Sequence, residues 1–115
     1  MRAKHFVAGM VLLMAAPVFA HHSFKAEYDE TRQVTITGTV TKVLWKNPHV
    51  MLDVDVKEDS KQSSWELELA SPNGLMSQGW KVDSIKPGDQ VTAVGFPAKD
   101  GANLLSAKKI TIDAH

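Results

Sequence analysis

From Val34 to Ile112 the apolar residues come in short runs with a period of two, broken by turn residues. Val34, Ile36 and Val40 alternate with threonines, the pattern of a strand with one buried face. Gly38 interrupts the alternation, and beyond it Val43 and Trp45 carry a shifted phase, which predicts a bulge or a strong bend. Asn47-Pro48 ends this strand, because proline lacks the N–H and restricts the residue before it. Val50, Leu52, Val54 and Val56 then line one face of a second strand, with His49, Met51, Asp53 and Asp55 on the other. Glu58–Ser64 reads as a polar turn. Trp65, Leu67 and Leu69 alternate with Glu66 and Glu68 in a third strand whose outer face is solvated.

Ser71-Pro72 opens a short helix of about two turns, with serine as N-cap and proline at the first helical position. Gly79 ends it as a left-handed cap, and Trp80 is expected to pack back on it. Asp83–Asp89 is a loop closing in a Pro-Gly turn, with Gly88 at the position that wants a positive φ. Gln90–Phe96 is apolar on both faces and reads as a central strand. Lys99-Asp100-Gly101 marks a turn. Leu105–Ile112 is the fifth strand, with Ile110 and Ile112 facing in. Three strands, a short helix and two strands give an all-β domain with the layout of a five-stranded OB-fold-like Greek-key barrel. Its bent first strand serves both sides of such a sheet. A β-sandwich is the alternative, though five strands barely suffice for one.

The 115 residues suit a single domain. Arg2 and Lys4 precede an apolar run from Phe6 to Val18, too short for a comfortable membrane span, and Val18-Phe19-Ala20 offers a cleavage site. Residues 1–20 therefore read as a secretory signal peptide, with an uncleaved membrane anchor as the alternative. Residues 21–32 read as an N-terminal arm in which Phe24 and Tyr28, four apart, pin one helical turn. Residues 33–115 form the barrel domain. Cleavage removes Arg2 and Lys4 and leaves 11 basic against 13 acidic residues, a net charge near −2. A basic stripe for nucleic acid is missing. The chain has no cysteine, so neither disulfides nor thiolate chemistry are available. The expected location is periplasmic or secreted, with no membrane span after cleavage.

Several motifs stand together: His21-His22-Ser23-Phe24 with Tyr28-Asp29, Gly38-Thr39-Val40 with Trp45-Lys46-Asn47-Pro48-His49, and Trp65 with Glu66. Further on come Ser71-Pro72-Asn73-Gly74-Leu75, Gly79-Trp80, Lys86–Asp89 with Gly95, and Ala98–Gly101. In these the chain resembles a group of small exported bacterial proteins catalogued as a domain of unknown function. The resemblance spans essentially the whole chain after residue 20. It implies a periplasmic setting and no assigned activity. A looser, topological resemblance to periplasmic OB-fold proteins says little about function.

The main chemical feature is the N-terminus that cleavage would create. The free amine and Nδ1 of His21 can close a chelate on one metal ion, similar to half of a histidine brace. His22 or His49 can supply a third nitrogen, a set that suits Cu(II). Zn(II) is the alternative, with Glu27, Asp29 or Asp53 completing a tetrahedron. The plain reading of the same residues is a solvated pair of histidines at a flexible terminus and a histidine that caps a loop. Met51 and Met76 are the only methionines left after cleavage, too few for a methionine-rich carrier. The expected function is non-enzymatic metal binding through His21, His22 and His49. The alternative is a groove around Trp45, Asn47 and His49 that takes a glycan, a peptide or an envelope protein. Catalysis is the weakest reading. Ser23 beside His22 establishes no nucleophile–base geometry, and Glu66 and Glu68 share a strand face of the kind that is usually only solvated.

Overall fold

The computed structural model describes residues 11–13 and 26–113. Strand β1 is Val11–Leu13, followed by β2 (Val34–Leu44), β3 (Met51–Glu58) and β4 (Lys61–Glu68). Helix α1 (Pro72–Ser77) then leads to β5 (Gln90–Pro97) and β6 (Leu104–Ile112). The hydrogen-bonded order β6-β4-β3-β2-β5 closes on itself through a β5–β6 pairing. The fold is an all-β, OB-fold-like barrel of five strands with one short helix. β1 adds to the outside of β6. Among the described residues no helix is long and apolar enough to cross a membrane.

Closure rests on β2. Its first part, Val34–Thr39, pairs with β5, and its second, Thr39–Leu44, pairs with β3. The register against β3 slips between Val40 and Lys42, so the bulge lies just after the glycine that suggests it. Gly38 has a different task. A Cβ there would stand 2.3 Å from the backbone oxygen of Asp55, so only glycine lets β2 cross β3 this closely. The bulge also frees the Val40 backbone for the Pro87-Gly88 turn: Val40 N–H donates to Asp89 O and Gly88 N–H to Val40 O.

Two expectations change. The polar run 58–64 is no loop. It contracts to a turn at Asp59–Ser60, with Asp59 at φ 58°, and β4 already starts at Lys61. Alternation along β6 is not continuous either. Leu105 and Ala107 point in, then Ile110, because the register against β5 shifts at Val94/Gly95. Lys61, Gln62 and Ser64 are exposed and only Ser63 is partly covered, so no buried alternation marks the first half of β4 in the sequence.

The core gathers Leu52, Val54, Leu67, Leu75, Trp80, Ile85, Val91, Leu105 and Ile110, each 2% exposed or less. Helix α1 buries Pro72 and contributes Leu75 to the core. Ser71 caps it, its Oγ accepting from Gly74 N–H. Gly79, at φ 94°, returns the chain so that Trp80 N–H donates to Leu75 O and the indole is buried. Gly88 and Gly101 hold the other two positive φ angles expected at turns.

Candidate functional site

The segment 45–50 between β2 and β3 is held at the barrel rim by the end of β4. Val50 N–H donates to Ala70 O, and Leu69 N–H to Val50 O. This continues the β3–β4 ladder by one pair and fixes where His49 stands. The Asn47-Pro48 peptide is cis. The Nδ1 atom of His49 lies 2.8 Å from Leu69 O. A carbonyl oxygen only accepts, so Nδ1 carries the hydrogen. The other ring nitrogen, Nε2, then faces the Oε2 atom of Glu68 at 3.3 Å. A neutral imidazole in this tautomer presents a lone pair to a carboxylate, and two acceptors at this distance repel. A proton on Nε2, or a cation between the two atoms, removes the repulsion. The His49 side chain is 46% exposed and that of Glu68 24%, so a cation can reach the pair from solvent.

The N-terminal arm arrives at the same place. Residues 26 and 27 are helical, and Tyr28 then bridges to Ala98. Asp29 N–H donates to Pro97 O, and Lys99 N–H to Glu27 O. These bonds lay the arm across the turn between β5 and β6. The Tyr28 ring is buried, and its hydroxyl donates to Glu68 Oε1 at 2.5 Å. Burial first, and then the Glu68 carboxylate, push the phenol far above its ordinary range. It stays a donor at any physiological pH. Glu68 is therefore gripped by Tyr28 through one oxygen and turned toward His49 with the other.

The surrounding face carries Asp53, Glu66 and Glu68, with Lys42 opposite Asp53. Asp53 lies opposite Glu66 in the β3–β4 ladder, and Glu68 lies opposite Met51, all on the outer side. This is the strand face, between two loops, on which OB-folds bind oligonucleotides.

Of the residues singled out from the sequence, His49 is here. His21 and His22 lie outside the described residues. Asp29 is otherwise engaged: it accepts from the hydroxyl and the N–H of Thr31, which hold its carboxyl below the usual carboxylate range. Among the described residues no three His, Asp or Glu side chains converge as a metal cluster. Trp45 is half-buried against the core, and Asn47 is exposed. A shallow concavity of about 440 Å³ lies elsewhere, with Gly38, Asp55 and Lys57 in its lining. In the sequence Glu68 stands as one of two carboxylates on a solvated strand face. Only the rim geometry, which puts residues 28, 49 and 68 together, distinguishes it from Glu66.

No curated protein sequence matches the chain. Residues 9–106 match a family of unknown function (DUF6152), and the chain belongs to that family.

Proposed function

We propose that the protein is an exported, non-enzymatic metal-binding module, loaded with copper at the rim of its barrel. The observation that carries this reading is the state of His49. Its Nδ1–H is committed to a backbone carbonyl, its Nε2 is exposed, and a carboxylate oxygen stands beside that nitrogen. Metal-bound histidines characteristically donate their second ring N–H to a carbonyl or carboxylate, which fixes the tautomer and the ring orientation. On this reading His49, just before β3, is a pre-oriented ligand.

The other half comes from the arm. After cleavage behind Ala20, His21 contributes its amine and its ring, and His22 a further imidazole. Together with His49 these favour Cu(II) among the divalent first-row ions. With Glu68 drawn in, a tetrahedral set for Zn(II) is the competing outcome. Tyr28 is the clasp that returns the arm to the rim. The acidic face raises the local cation concentration and disfavours nucleic acid. The role that fits is carriage or delivery of the ion in the periplasm.

The test is a Cu(II) titration of the exported protein, its terminus at His21 verified by mass, against the same protein with one added N-terminal alanine. The expected result is binding at or below about micromolar Kd (about −8 kcal/mol) that collapses on adding the alanine and weakens in His49→Ala. Equal, weak binding in all three overturns the proposal. A groove around Trp45, Asn47 and His49 for a glycan, peptide or envelope protein would then be the reading to pursue.

A further inference from the structure

The barrel is closed unevenly along β6. On one side β6 pairs with β5 over most of its length, from Leu105 to Ile112. On the other it pairs with β4 in parallel, only through Leu104–Ser106. Beyond Ser106 the two strands part, and the backbone of Lys109–Thr111 on that side is left without a partner from the barrel. Strand β1 fills this stretch. Val11 pairs with Thr111, Leu12 with Ile110 and Leu13 with Lys109, antiparallel. The three residues that dock are aliphatic, the Val11 side chain stays 51% exposed, and all three pair with β6 along the backbone. An unpaired strand edge is a template for another strand, and proteins that leave one open usually cover it or charge it. Here it is both covered by β1 and flanked by exposed Lys108 and Lys109.

We infer that the outer edge of β6 at Lys109–Thr111 is a strand-acceptor site. In the full chain Val11–Leu13 occupies it. In the exported protein an extended aliphatic segment of a partner polypeptide takes the same antiparallel place. Main-chain hydrogen bonds supply the attraction, and exposed Lys109, within the edge itself, favours a segment with an acidic flank. The second half of this inference rests on the leader reading, because cleavage behind Ala20 is what vacates the edge. The first half does not.

The full chain allows both to be tested. Leu12→Pro removes the N–H and the extended freedom that β1 needs. Amide hydrogen exchange is then read at Lys109–Thr111, for the amides that point away from β5. Expected is slow exchange in the wild-type chain, at least about tenfold faster exchange in Leu12→Pro, and restored protection on adding a peptide of residues 9–16. The same peptide carrying Leu12→Pro should restore nothing. Unchanged exchange in Leu12→Pro overturns the site, as does failure of the wild-type peptide to restore protection. Protection that returns with rising protein concentration instead of peptide would show a second copy on the edge, and would also overturn the assignment of a separate partner. Finding an intact N-terminus on the exported protein would remove the leader reading and leave these exchange results standing.

Discussion

Tyr28→Phe isolates one bond between the arm and the barrel. The ring stays, so packing is conserved; what disappears is the hydroxyl that donates to Glu68 at 2.5 Å. Hydrogen bonds to ionised groups are worth about 1.5–3 kcal/mol. Glu68 is a quarter exposed, so water can replace the lost donor on the carboxylate, which places the cost at the lower end, about 1.5 kcal/mol. For a domain of this size each kcal/mol lowers Tm by about 4–8 °C, so a fall of roughly 6–12 °C is expected. Thermal unfolding followed by tryptophan fluorescence measures it, and the double variant with Glu68→Gln should lose less than the two single losses summed. The same bond has a signature at high pH. Tyr28 is the chain's only tyrosine, so phenolate absorbance reports this group alone. Its folded pKa is raised, so the stability it contributes is complete below the unfolded value of about 10 and is lost as pH climbs above it. Phenolate should therefore appear together with release of the arm. A Tm change under about 2 °C, equivalent to less than about 0.5 kcal/mol, or a phenol that titrates near 10 in the folded protein, would refute the clasp.

Gly38→Ala places a methyl 2.3 Å from Asp55 O, a backbone atom that cannot swing aside, and should cost at least about 3 kcal/mol in urea unfolding, the upper end for overpacking. Glu68→Gln keeps an acceptor for Tyr28 but removes the charge beside His49 Nε2; Cu(II) affinity should fall by about tenfold, on the scale of other partners that orient a metal ligand. Thr31→Val deletes the hydroxyl that is the main cause of the low Asp29 pKa. Stability from Asp29 is present above its unfolded pKa of about 3.9 and is lost as pH falls through the lower folded value, so acid unfolding of the variant should begin at higher pH.

The barrel was largely legible because its strands alternate. Val50–Val56 and Trp65–Leu69 show their buried faces directly, and Ser71-Pro72 and Gly79 mark the helix at both ends. What stayed hidden has physical reasons. Lys61–Ser64 form the solvated half of a hairpin, where burial leaves no trace in residue type. The slip in β6 sits among Lys108 and Lys109, which fit either register. His49 could be singled out as a ligand, since histidine after Asn-Pro stands out at a strand start. Glu68 could not, because its partners come from 19 and 40 residues away and meet only when β4 ends at the rim. Val11–Leu13 reads from the sequence as leader alone, since three aliphatic residues carry no strand signal apart from the edge they meet.

The division of β2 between two partners bears on how fast the protein can fold. Val34–Thr39 find β5 only after nearly the whole domain has been made, since Val34 pairs with Gly95. β5 in turn needs β6, the last strand. The hairpin of β3 and β4 can form locally, but the pairings that seal the ring join the two ends of the domain, and the loop entropy must be spent before they return anything. Such a topology folds in roughly milliseconds to seconds, slow on the scale of helical bundles. On the proposed export, in which the chain passes through a membrane in extended form, that delay is an advantage. No half of the barrel is complete without β2, so little stable structure can form to block its passage before the last strand is available.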